Sequence, residues 1–282
     1  FPLFTLLEDF GYLPRVAFLL DHPLQKAGAC GKQALTMAMG FGCNAAGVVG
    51  CRIIDSPRER LLAVLTNQFS PCNGRFPLLI ALLSMFLAGD GGPGSSLLAA
   101  AGLTGLILLG AGAALGTSRL LSATLLKGVP SSFALELPPY RPPRVGQVLA
   151  RSFLDRTLFV LGRAVTVAAP AGAVIWLFGN VQMEGVSLLG RCAALLDPFA
   201  RALGLDGAIL MAFLLGLPAN EIVLPILLMG YLSSGTLAEA GSLAELREVL
   251  TANGWTWLRA ACTALLSLMH WPCPTTCPTI GR

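Results

Sequence analysis

From Gly207 to Ala238 the chain runs for 32 residues with a single charge, Glu221. Few soluble folds can absorb such a stretch, whereas a membrane-spanning helix needs about 20 mainly apolar residues to cross a hydrocarbon core about 30 Å thick. Five further uncharged stretches occur: Gln33 to Cys51, Phe76 to Gly89, Gly91 to Ser118, Ala164 to Met183 and Ala260 to Gly281. Together they predict an all-α polytopic membrane protein of about six membrane segments. Composition agrees, with 12% charged residues against roughly 25% in soluble domains, and 55% hydrophobic. The 32 Gly and 19 Pro follow no collagen period, and the apolar content excludes disorder.

The net charge of +4 is too mild for a nucleic-acid binder, and basic residues are not interleaved with aromatics. No nucleic-acid partner is expected. The chain opens on Phe1 without a charged n-region or small-residue cleavage site, so the expectation is no signal peptide and a piece of something longer.

Three of the apolar stretches are interrupted. Gly40-Phe41-Gly42-Cys43-Asn44 lies inside the first, Gly216-Leu217-Pro218-Ala219-Asn220-Glu221 inside the 32-residue stretch, and Trp271-Pro272-Cys273-Pro274 inside the last. Gly and Pro there leave backbone amides and carbonyls unpaired, which lipid tolerates only where they are buried in protein or line a wet cavity. Three breaks beside Cys, Asn or Glu therefore point to a lined pathway.

The chain divides at its most polar connection. Residues 1–118 form a first membrane part, 119–163 a basic Pro-rich loop and 164–282 a second membrane part. The loop carries Arg119, Lys127, Arg141, Arg144, Arg151, Arg156 and Arg163 against Glu136 and Asp155, which places it on the cytoplasmic side. The stretch from Ser233 to Gly254, with three Glu and Arg247, is expected on the opposite side.

A shift of 176 positions aligns the first break with the second without a gap. Between Glu8 and Asn44, 11 of 37 positions are identical: Glu8/Glu184, Leu13/Leu189, Arg15/Arg191, Ala17/Ala193, Leu19/Leu195, Leu20/Leu196, Asp21/Asp197, Gly28/Gly204, Gly31/Gly207, Gly40/Gly216 and Asn44/Asn220. A duplicated unit interrupted at the same place is the sequence pointer to a transporter site at a repeat interface. Whether the repeats run parallel or inverted depends on how many intervening segments cross, which the sequence leaves open.

Six residues are candidate ligands of a transported metal: Cys43, Asn44, Cys72, Asn220, Glu221 and Cys273. A carboxylate at the centre of a span costs about 2.5–3.5 kcal/mol on insertion scales and marks a functional site by default. Its structural alternative is to pair with an Arg or with unwound backbone amides and stabilise the break. The two asparagines offer either a carbonyl oxygen to a cation or a hydrogen bond that staples the break. Each of the eight cysteines alone packs as a small hydrophobe, but Cys43, Cys72 and Cys273 each fall beside a Gly/Pro interruption. Cys with Asn and Glu suits a borderline divalent transition metal. His270, a lone His near the third break, reads as a hydrogen-bonded core residue. No G-x-S-x-G, H-E-x-x-H or complete P-loop is present, so no enzyme activity and no bound cofactor is expected.

Six stretches resemble the membrane permease region of the ferrous iron transport protein B family: LLEDFGYLPRVAFLLD (6–21), GFGCN (40–44), RERLLAVLTNQFSPCNGRFP (58–77), LLKGVPSSFALELPPYRPP (125–143), GLPANEIVLP (216–225) and NGWTW with PCPTT (253–276). The resemblance implies uptake of Fe(II) as the transported ion across the bacterial inner membrane by a multi-pass protein. It implies two gate regions, a cytosolic GTPase domain or subunit, and small accessory iron-transport proteins as partners, and is compatible with a homo-oligomer. It places iron-path residues on Cys43, Cys72, Cys273 and Glu221. Three features depart from the family pattern: Ala45-Ala46-Gly47 after GFGCN, the Pro274, Cys277 and Pro278 pattern, and an end at Arg282 where the family has one more spanning helix. The competing readings are a gate-type transporter of a nucleoside or other organic solute, a non-transporting interaction subunit in the membrane, and an intramembrane thiol oxidoreductase, which the lack of C-x-x-C disfavours.

Overall fold

The helix Ser95–Ala123 shows which kind of interior this chain builds. Its buried positions are Gly110, Ala114 and Ser118, one small residue per turn, while Leu97, Leu108 and Leu120 are 75%, 67% and 63% exposed. Small residues inward and leucines outward is the arrangement of helices packed in lipid, where close backbone approach and interhelical hydrogen bonds replace hydrophobic burial. The computed structural model describes residues 10–89, 92, 94–128, 158–183, 185–233, 235–237 and 241–271, with positions 7 and 146. Cys273, Cys277 and most of the basic loop lie outside the described residues.

The described chain is all-α apart from one two-residue antiparallel pair. In chain order the helices are α1 (Tyr12–Gln25), α2 (Gly31–Gly42), α3 (Asn44–Gly50), α4 (Pro57–Thr66), α5 (Phe76–Leu82), α6 (Ser95–Ala123), α7 (Leu158–Asn180), α8 (Leu188–Ala202), α9 (Gly207–Leu215), α10 (Val223–Leu232), α11 (Leu243–Ala252) and α12 (Trp257–Met269). A π-helical turn, Leu83–Leu87, continues α5. Strands β1 (Gln182–Met183) and β2 (Val186–Ser187) pair Gln182 with Ser187 before α8. Two compact units result, one holding the chain up to Cys72 with Gly110–Thr166 and Thr275–Arg282, the other holding Asn73–Leu109 and Val167–Pro274.

Each unit contains one copy of the repeat, and the copies share their turns atom for atom. In the first unit α1 gives way to α2 through Gly28, at φ +73°. Asp21 Oδ1 accepts the Gly31 amide at 2.7 Å, capping the new helix with a side chain from the old one. A Cβ on Gly31 would overlap the Ala17 carbonyl oxygen. In the second unit Gly204, also at φ +73°, joins α8 to α9. There Asp197 Oδ1 accepts the Gly207 amide at 3.1 Å, and a Cβ on Gly207 would overlap the Ala193 carbonyl oxygen. These contacts account for four of the identical pairs, at Ala17, Asp21, Gly28 and Gly31. The second elbow turns the chain by 110°.

The two interiors differ in chemistry. The second unit packs a continuous apolar core in which Phe213, Ile226, Leu227 and Leu250 are almost fully buried. In the first unit α2 buries Gly31, Gln33, Thr36 and Gly40, and α4 buries Glu59, Leu62, Ala63 and Thr66, an i, i+3, i+4, i+7 face.

Among the described residues, Ser95–Ala123 is long and apolar enough to cross a membrane by itself, and α8 with α9 passes only as a bent pair. The stretch expected as one span from Gly207 is two short helices: α9, the 3-10 turn Asn220–Ile222, and α10. Nine residues of α-helix rise about 14 Å, half a hydrocarbon core. The polar stretch after Ser233 carries a helix of its own, α11, capped by Ser242 accepting the Glu245 amide at 3.2 Å.

Candidate metal path at two helix breaks

The first break is a single extended residue. Cys43, at φ −152° and ψ 123°, stops α2, and α3 starts at Asn44. In the second copy Ala219 holds φ −151° and ψ 117°, with Asn220 next. The backbone geometry of the break is thus duplicated together with the asparagine that follows it. Cys43 is half-buried, while Asn44 and Asn220 are 3% and 9% exposed.

Different partners hold the two asparagines. Asn67, in the 3-10 turn after α4, donates Nδ2 to Asn44 Oδ1 at 2.5 Å and to the Asn44 carbonyl at 3.2 Å. Asn67 Oδ1, Asn44 Nδ2 and Ser70 Oγ are buried and make no hydrogen bond among the described residues. Deeper in the same unit Gln33 donates Nε2 to Thr66 Oγ1 at 2.8 Å and to Ser118 Oγ at 3.1 Å. Polar contacts thus tie α2 to α4 and α6.

In the second unit Asn220 Oδ1 lies 3.1 Å from His270 Nε2, and His270 Nδ1 lies 2.9 Å from the Ser267 carbonyl. A carbonyl only accepts, so Nδ1 carries a proton, and a neutral imidazole then offers Asn220 a lone pair at Nε2. The amide of Asn220 meets it by presenting its NH₂ group. The Phe213 ring stands edge-on to His270 at 5.1 Å. Arg75, fully buried, donates Nη1 to the Leu268 carbonyl at 3.1 Å, satisfying an acceptor in the last turn of α12. Gly74 brings its backbone close to the same break: a Cβ there would stand 3.7 Å from Asn220 Cβ and from the Glu221 amide.

Cys43, Asn44 and the buried Cys72 belong to the first unit, Asn220 and Glu221 to the second. The Glu221 side chain is exposed on its 3-10 turn. Among the described residues, no three of His, Cys, Asp and Glu come together as a metal site.

Outside the helix breaks, burial and then the neighbouring Glu59 carboxylate push the Cys30 thiol up to about 12. Lys32 Nζ, 2.5 Å from Asp55, holds that carboxyl below its usual range. At the N-terminal end of α9, Asp206 accepts from the Ile209 amide at 2.7 Å and from the Tyr231 hydroxyl at 2.5 Å. Trp255 Nε1 in turn donates to Tyr231 at 2.9 Å.

A family model for nucleoside recognition matches residues 1–86 and 161–282, and so takes in both breaks. A second, for the C terminus of ferrous iron transport protein B, matches residues 103–155 between them. The chain belongs to the ferrous iron transport protein B family. An "Fe(2+) transporter FeoB" of Salmonella typhimurium is 28% identical over 281 residues, covering 95% of this chain and 35% of that protein. That of Escherichia coli K12 is 27% identical with the same coverage. A fusion of Fe(2+) transport protein A with FeoB from Porphyromonas gingivalis is 27% identical over 326 residues, covering 99% of this chain and 37% of its own length. The chain thus spans about a third of these relatives. No solved structure matches it significantly. Within this family region Asn67 and Arg75 stand out only in the structure, whereas His270 is the hydrogen-bonded core residue expected, with Asn220 as a partner the sequence did not name. One sequence signal was available: Pro71-Cys72 and Pro272-Cys273 each follow a helix that supplies a break's partner, Asn67 after α4 and His270 after α12.

Proposed function

We propose that the chain is the permease core of a ferrous iron uptake system in a bacterial inner membrane. About six membrane segments are counted with each broken pair of short helices as one span. The observation that carries the reading is the duplicated break, with the same backbone dihedrals at Cys43 and Ala219 and an asparagine after each. The resemblance to Fe(2+) transporters over 95% of this chain, and 35% of theirs, supports iron as the cargo.

In this mechanism Fe(II) sheds part of its water shell and passes in turn the Cys43 thiol, the amide oxygens of Asn44 and Asn220, Cys72, Glu221 and Cys273. Contact with one or two protein groups at a time suits transport, because a conducted ion must be held weakly enough to leave. The exposed carboxylate of Glu221 fits a wet path, since charged groups in membrane segments face a bundle interior or a water-filled cavity rather than lipid. Rocking of one half-helix against the other at each break would open the route. The chain itself acts as a permease and not as an enzyme; a GTPase domain or subunit and small accessory proteins belong to the same reading, supported for the latter by the fused relative.

One observation favours an organic cargo: Phe213 and His270 place rings beside Asn220, and the larger family match is described by nucleoside recognition. Equilibrium binding of Fe(II), Mn(II), Zn(II) and Mg(II) to the purified chain in detergent, without oxygen, separates the two. Saturable Fe(II) binding that Mg(II) and nucleosides do not displace, and that Glu221→Ala and Cys43→Ser weaken, is expected. Displacement by nucleosides, or wild-type binding in both variants, would reject the iron path.

A further inference from the structure

The two breaks are filled differently. In the first, the notch between Gly40 on α2 and Gly47 on α3 holds the Asn67 side chain. A Cβ on Gly40 would have Asn67 Oδ1, Nδ2 and Cγ as its three nearest neighbours, at 2.8, 3.2 and 3.3 Å. A Cβ on Gly47 would come within 2.5 Å of Asn67 Nδ2. The same Nδ2 bonds both the side chain and the carbonyl of Asn44. In the second copy the shift of 176 puts Gly216 and Val223 at these positions, and Val223 Cγ2 lies 2.5 Å from where a Gly216 Cβ would be. That notch is filled from within its own strand of chain.

We propose that Asn67 is a positioning residue for cation passage at the first break, a bolt that passes between α2 and α3 and fixes the presentation of Cys43 and Asn44. The proposal rests on the iron-path reading. Asn44 is thereby the staple of its break, with its Oδ1 committed to Asn67, and the first break yields only when Asn67 withdraws. Among the described residues, the matching notch of the second break is filled by Val223 of the same segment instead.

Alkylation of Cys43 by N-ethylmaleimide, followed residue by residue by peptide mass spectrometry on the purified full chain, tests it. Asn67→Ala is expected to speed the reaction at Cys43 about fivefold or more, the range in which losing one or two kcal/mol of local stability shows. Asn67→Asp keeps the shape but turns an acceptor toward both Asn44 oxygens, and is expected to behave like Asn67→Ala. Gly40→Ala is expected to speed Cys43 too, whereas adding it to Asn67→Ala produces no further increase, because the three atoms nearest the new methyl all belong to Asn67. Additive effects of Gly40→Ala and Asn67→Ala would overturn the bolt, as would equal acceleration at Cys192 in the other unit or at buried Cys51. Protection of wild-type Cys43 by Fe(II) reports on the iron path separately: its absence defeats that reading and, with it, cation passage, while the variant rates still decide whether Asn67 holds the break.

Discussion

His270 Nε2 stands 3.1 Å from the side-chain amide of Asn220, so the last residue before the third Gly/Pro interruption holds the asparagine within the second. The ring is also anchored at Nδ1 to Ser267. His270→Ala and Asn220→Ala each break the same bond, and their costs should not add. A double-mutant cycle on thermal unfolding in detergent is expected to give a coupling between about 0.5 and 3 kcal/mol. A coupling indistinguishable from zero would mean that the pair contributes nothing to stability.

The elbows permit a sharper comparison. Gly31→Ala and Gly207→Ala both drive a methyl into a backbone carbonyl oxygen, whereas a Cβ on Gly42 meets nothing within 4 Å. The first two should destabilise by more than about 2 kcal/mol, through overpacking that cannot relax into a rotamer change. Gly42→Ala should leave the melting temperature within about a degree or two of wild type. Equal melting temperatures for all three would remove the elbows from the account of the repeat.

Removing the caps that Asp21 and Asp197 supply offers a milder test in both copies. Each carboxylate accepts the first amide of the next helix. Asp21→Ala and Asp197→Ala should each cost about 0.5–2 kcal/mol. The measurement is the shift in unfolding midpoint for each variant against the wild-type chain.

Cys30, at the first elbow, should be a less reactive thiol than the buried Cys51. With burial and Glu59 pushing it up to about 12, only about one thiol in ten thousand is ionised at pH 8, and the thiolate is the nucleophile. Its alkylation rate should rise about tenfold for each unit of pH between 7 and 10. Glu59→Gln removes the second of the two causes and should raise the rate at pH 8 without abolishing the pH slope. A pH-independent rate at Cys30 would contradict the assignment.

The repeat was legible in the sequence because its elbows depend on residue types with no substitutes. Gly31 and Gly207 face carbonyl oxygens, and Asp21 and Asp197 cap amides ten residues on, so identities there were forced by geometry. The breaks were legible for the same reason, as Gly and Pro beside Cys and Asn. Asn67, Arg75 and the Asn220 partner of His270 were not, because the paired residues lie 23, 193 and 50 positions apart in the chain and no spacing rule links them. The interruption read at Gly216 to Glu221 falls where α9 ends and the 3-10 turn before α10 begins.

The elbow glycines set limits on how the two halves can drift apart. A clash with a side chain can be relieved by shortening that side chain, as at Gly40 and Asn67, but a clash with a main-chain oxygen has no second-site remedy. Descendants of this duplication are therefore free to exchange what fills each break, asparagine in one and valine in the other, and are bound to keep the corners that lead into it. Specificity can be rewritten one half at a time while the scaffold that presents it stays fixed.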